Sequence, residues 1–229
     1  DDWIVQRTGI RERRIAADCG TAHCVGAGSG TAALYMALQA LEIGPVAQFG
    51  ASRFKGPVDM TGARIAGEIL LSGARHGAPN WGADSALILR NVSADALQAE
   101  ERAWTRAEDG SPLPTDLTGF AYDRLGGLNA AEGETMADSD AAWLAGWIES
   151  QPDHDARYDP QPYEQLAAAL DAAGATQVAR RIRYEKFEHK RRAANVSPWE
   201  RARLWASGLL VGHGLYPFRL LRWFAGLVV

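Results

Sequence analysis

FKGPVDMTGAR at Phe54–Arg64 runs without a gap into IAGEILLSGAR at Ile65–Arg75. Laid over one another, Phe54 falls on Ile65, Gly56 on Gly67, Val58 on Ile69 and Met60 on Leu71. Gly62-Ala63-Arg64 likewise falls on Gly73-Ala74-Arg75, and a shorter echo, GASR, stands just upstream at Gly50–Arg53. In each unit the large apolar residues take alternate positions, which is the period of a strand. The Gly-Ala pairs mark bends, because small residues let the backbone turn tightly. Short tandem units of this kind are the signature of a β-helix solenoid, whose coils bury their inward side chains on one another. A single β-hairpin with accidental similarity is the competing reading. Two units make roughly one coil, too little to bury a core alone. The stretch is therefore expected to be the end of a solenoid, closed by the segment C-terminal to it.

Around this repeat the chain has 229 residues, 24 Lys+Arg against 28 Asp+Glu, and 47% hydrophobic content. That is an ordinary globular composition and excludes wholesale disorder, collagen and a disulfide scaffold. The net charge of −4 conceals a split. Between Trp81 and Ala175 stand 18 acidic and five basic residues, whereas Arg180–Arg203 holds nine Lys/Arg and three Glu. An acidic middle, a basic stretch and an apolar end point to a surface-directed terminus. These textures divide the chain into four segments: 1–45 with one helix, 46–130 with the repeat, 131–203 as a helical cap, and 204–229 as an apolar tail. No signal peptide opens the chain, and the absence of a first methionine suggests a fragment or a processed product.

The helical signals lie in the second half. Ala137–Glu149 places Trp143, Leu144, Trp147 and Ile148 at helical spacing, with Asp138 or Ser139 as N-cap. Pro162 suits the first turn of a helix carrying Tyr163, Leu166 and Leu170, and Gly174 suits its end. A second helix over Ala175–Ala193 completes an αα-hairpin. Its Val178 and Ile182 face inward, and seven Lys/Arg from Arg180 to Arg192 form a basic face. Aromatic platforms for bases are sparse there, so nucleic acid is not the expected partner.

Leu204–Phe218 is 15 residues without a formal charge; Arg219, Arg222 and an apolar end come after it. A spanning helix needs about 20 consecutive apolar residues, and Pro217 interrupts this run. The alternatives are an interfacial helix, the opening of a transmembrane helix cut off at Val229, or a helix packed into the core. Trp205, Tyr216, Arg219, Arg222 and Trp223 resemble an interfacial belt with basic anchors and are the expected membrane-contacting residues. His213 is expected to be interfacial or packed.

Other candidates carry no chemistry. Cys19, His23 and Cys24 lack the second ligand pair that a zinc site needs, so no metal is expected and the thiols are expected to be reduced. Asp153, His154 and Asp155 precede Pro160 in a polar turn and read as a solvated loop.

Three resemblances overlay this reading. DDWIVQRTGIRERRIA at Asp1–Ala16 resembles the start of β-ketoacyl-acyl-carrier-protein synthase III, in which residues at the places of Trp3 and Arg7 contact coenzyme A. The family's Cys-His-Asn catalytic set has no place in the rest of the chain. CGTAHCVGAGSGTAALYMALQALEIGP at Cys19–Pro45 resembles the pyridoxal-phosphate-dependent sugar aminotransferases. The resemblance implies that Gly30, Thr31 and Ala32 open a helix whose amides hold the cofactor phosphate, as a helix N-terminus can. Such enzymes need a Schiff-base lysine farther along, and the chain has only Lys55, Lys186 and Lys190. Residues 46–229 are similar to bacterial pentapeptide-like β-helix proteins with a helical cap and a C-terminal membrane segment, through the GAR repeats, LTGFAYDRLGGL at Leu117–Leu128, YDPQPYEQLAAALDAAG at Tyr158–Gly174 and GHGLYPFRLLRW at Gly212–Trp223. Members are often labelled membrane-associated oxidoreductases, but no nucleotide fingerprint, flavin motif or redox pair stands in this sequence.

The expected fold class is α+β: a short N-terminal helix, a short β-helix (solenoid) remnant, and an α-helical C-terminal cap. The expected function is a non-catalytic membrane-associated scaffold at the cytoplasmic face of the inner membrane, with no cofactor and no catalytic residue. The alternative is an enzyme or enzyme remnant, either a membrane-associated oxidoreductase or an aminotransferase fragment.

Overall fold

A computed structural model of the chain describes residues 42–43, 46–72, 77–128, 135–152, 158–193 and 196–215. The expected N-terminal helix lies outside them. The chain divides into two compact units, Asp1–Ser139 and Asp140–Val229.

In the first unit short strands succeed one another at close intervals. They are β1 (Glu42–Ile43), β2 (Val46–Gln48), β3 (Arg53–Phe54), β4 (Val58–Asp59), β5 (Arg64–Ile65), β6 (Glu68–Leu70), β7 (Asn80–Trp81), β8 (Leu87–Ile88), β9 (Ser93–Gln98), β10 (Thr115–Asp116) and β11 (Ala121–Leu125). Every pairing between them is parallel. Three separate sheets result: one of six strands in the order β1-β5-β9-β6-β2 with β11 also on β9, one of three, β10-β8-β4, and the pair β3-β7.

The alternation in the repeat sends the expected side chains inward: Phe54, Val58, Met60, Ile65, Ile69 and Leu71 are all buried. The register then sets buried side chains beside one another. Val58 pairs with Leu87 and Leu87 with Thr115. Ile69 pairs with Leu97 and Leu97 with Leu125. Phe54 pairs with Trp81, their rings stacked at 4.6 Å. Burying such side chains against one another is the main source of stability in the unit.

The two 11-residue units, however, do not lie on one another. β3 pairs with β7 and β4 with β8, whereas β5 pairs with β1 and β9, and β6 with β2 and β9. Equivalent positions of the repeat thus sit in different sheets, and their partners come from elsewhere in the chain. The similarity records shared strand-and-bend chemistry, not a stacking period. With parallel strands in three sheets and four helices after them, the fold class is mixed α/β. This corrects the expected α+β chain with a β-helix or solenoid remnant; the all-parallel pairing likewise removes the β-hairpin.

Several polar groups inside the first unit are tied to backbone, as burial favours. The Glu68 carboxylate, 3% exposed, accepts the Leu128 N–H at 2.8 Å. Ser72 Oγ accepts the Glu100 N–H at 2.7 Å, and Trp81 Nε1 donates to the Ala103 carbonyl at 2.8 Å. At the surface Arg90 grips Asp116, with Nη2–Oδ2 at 2.6 Å. Partial burial pushes the Asp116 carboxyl up, but hydrogen bonds from Thr118 and Arg90 outweigh it and hold the group below its ordinary value.

The second unit is helical: α1 (Ala141–Glu149), α2 (Gln161–Ala172), α3 (Thr176–Arg192) and α4 (Pro198–Val211). Asp140 caps α1, its carboxylate accepting the N–H groups of Ala142 and Trp143 at 2.7 and 2.8 Å. The expected caps act otherwise. Asp138 closes a short 3-10 turn begun by Thr135, and Ser139 ends that turn. Pro162 lies in the first turn of α2, and Gly174 stands just past the helix at φ +83°, the left-handed conformation that glycine adopts without strain. Ser197 caps α4, and Gly212, also left-handed, ends it.

Candidate functional site

The basic face expected on α3 is largely consumed within the unit. Arg192 reaches Glu149 of α1 at 2.9 Å, Arg183 reaches Asp171 of α2 at 2.6 Å, and Lys186 pairs with Glu164 of α2. Lys190 reaches Glu200 of α4 at 2.6 Å, and the Lys190 ammonium holds that carboxyl below its ordinary range. Arg181 and Arg191 pair along α3 with Glu185 and Glu188, and Arg203 lies 3.9 Å from Glu200. Seven of the nine Lys/Arg between Arg180 and Arg203 therefore have a carboxylate neighbour. α3 is a central post whose cations tie down the helices on either side of it in sequence.

α4 presents the opposite face. At about 100° per residue, Trp205, Pro198, Leu209, Ala202, Ala206, Trp199 and Leu210 fall in that angular order within an arc of about 140°. No charged residue interrupts the arc, and Arg201 and Arg203 flank its two edges. The arc points outward: Trp199 is 80% exposed, Trp205 59%, Leu210 45% and Leu209 43%. On the inward side, among the described residues, Leu204 and Gly208 are buried. An ordinary surface helix turns its apolar stripe to the core. This one turns an apolar face away, and contiguous exposed apolar surface marks an interaction site.

The end of α4 is clasped to α3 by His213. Its ring stacks on Phe187 at 4.9 Å and tilts against Tyr184 at 5.3 Å, with Nε2 3.1 Å from Glu188 Oε1. Gly208 makes room for the ring, since a methyl there would stand 2.9 Å from Nε2. His213 itself adopts φ +59°, a left-handed conformation costly for a residue with a Cβ. Of the two places expected for this residue, interfacial or packed, the structure shows the packed one.

Among the expected site residues, Trp205 stands on the exposed arc. Tyr216, Arg219, Arg222 and Trp223 lie outside the described residues, as do Gly30, Thr31 and Ala32, the Cys19–Cys24 pair with His23, and Asp153–Asp155. Sequence reasoning does not single out Trp199, Leu209 or Leu210. The length of an uncharged run says nothing of where its residues point, whereas their angular distribution around a helix is the signal that finds them. Among the described residues no group of three or more His, Cys, Asp or Glu could hold a metal ion. No helix among them is long and apolar enough to cross a membrane. α4 ends at a left-handed glycine after 14 residues, which corrects the expected opening of a truncated transmembrane helix.

The three lysines are all described. Lys186 and Lys190 are ion-paired on α3, and Lys55 is exposed in the bend after β3.

Residues 7–49 match the sequence model of the DegT/DnrJ/EryC1/StrS aminotransferase family, which takes in the stretch resembling sugar aminotransferases. The match lies at the N-terminal end and not on the repeat, so the attribution to pentapeptide-like repeat proteins is corrected. No curated protein and no solved structure matches the chain.

Proposed function

We propose that the chain is a non-catalytic module that docks on the cytoplasmic face of a membrane through α4. The observation that carries this reading is the outward arc of Trp199, Trp205, Leu209 and Leu210 between Arg201 and Arg203. A helix with an uninterrupted apolar face and basic edges lies in the bilayer interface, its apolar side chains at the headgroup–acyl boundary. Tryptophan is suited to that depth, because its ring is apolar and its N–H finds a polar partner. The scaffold role then falls to the parallel-sheet unit.

The match over residues 7–49 supports a second reading, an aminotransferase remnant in which Gly30, Thr31 and Ala32 receive a phosphate. The residues present do not fit pyridoxal phosphate as a working cofactor. Schiff-base chemistry needs a lysine that can shed its charge beside the cofactor. Lys186 and Lys190 are ion-paired with Glu164 and Glu200, and Lys55 is solvent-exposed.

Co-sedimentation of the full chain with lipid vesicles tests the membrane reading. The chain is expected to pellet with vesicles, and the double variant Trp199→Ser/Leu210→Ser is expected to lose about tenfold or more in lipid affinity, because two large apolar side chains no longer insert. Equal binding by the two proteins would remove α4 as the contact. Development of absorbance with added pyridoxal phosphate would favour the second reading.

A further inference from the structure

We draw no further inference here: the strongest candidate, the side-chain cluster in which His213, Tyr184, Phe187 and Glu188 clasp the end of α4 to α3, belongs to the site already described, and a proton switch built on it would rest on the titration of Glu188 alone.

Discussion

Two contacts fix the behaviour of single residues. In the first unit Asn91 takes φ +54° and lays its side chain over Gly119, itself at φ +70°. A methyl on Gly119 would stand 2.2 Å from Asn91 Oδ1, the end of an exposed side chain that can swing aside, but at φ +70° the backbone itself strains any Cβ. Gly119→Ala is expected to lower stability by about 1–3 kcal/mol, read from the urea midpoint. An unchanged midpoint would mean that this bend relaxes freely. In the second unit Glu188 joins Arg191 and His213. Partial burial pushes its carboxyl up, but the hydrogen bonds from Arg191 and His213 outweigh that, and the group sits below its ordinary value of 4.5. A carboxyl depressed in the folded state contributes stability that is complete above 4.5 and lost as pH falls through the folded value. Glu188→Gln is therefore expected to melt at lower temperature than wild type at pH 7, with the difference shrinking as the pH drops below that range. Parallel melting curves at all pH values would show that the triad contributes nothing to the fold.

At the scale of elements, α4 combines two faces of opposite consequence. Leu204 is buried, so Leu204→Ala is expected to cost about 2 kcal/mol or more in urea unfolding. Trp199 is largely in solvent, and Trp199→Ser is expected to stay within about 0.5 kcal/mol of wild type. A reversal of the two would place the tryptophan face inside. The strands show what sequence can and cannot disclose about such elements. Alternation in the repeat discloses which side chains turn inward, because a strand has a period of two whatever its partner. It does not disclose the partner. Strands of two or three residues carry too little pattern to fix a register, and Phe54 finds Trp81 while Ile65 lies beside Ile43 and Arg64 beside Ser93. The helices are more legible, since Pro162, Gly174 and the Tyr163–Leu166–Leu170 stripe act locally. Their electrostatics are not: the basic run of α3 reads as open surface because the carboxylates that meet it, such as Glu149 and Glu164, lie 43 and 22 residues away from their partners.

For the whole molecule, the two units are held by different forces and should answer salt differently. The first buries Trp81, Phe120, Met60 and a set of leucines and isoleucines, and apolar burial does not weaken when ions are added. The second depends on charges spanning helices: Arg192–Glu149, Arg183–Asp171, Lys186–Glu164 and Lys190–Glu200. Each pair is partly exposed, so each alone contributes on the order of 1 kcal/mol or less, and salt screens it. Sharing one helix makes them act together, because releasing α3 releases all four at once. Raising sodium chloride from about 0.05 to about 0.5 M shortens the screening length from roughly 14 to roughly 4 Å, comparable with the pair distances themselves. Amide hydrogen exchange resolved residue by residue is expected to quicken across α2, α3 and α4, while protection at β6, β8 and β9 holds or rises. Uniform loss of protection in both units would mean that the charged post on α3 does not set the stability of its neighbours.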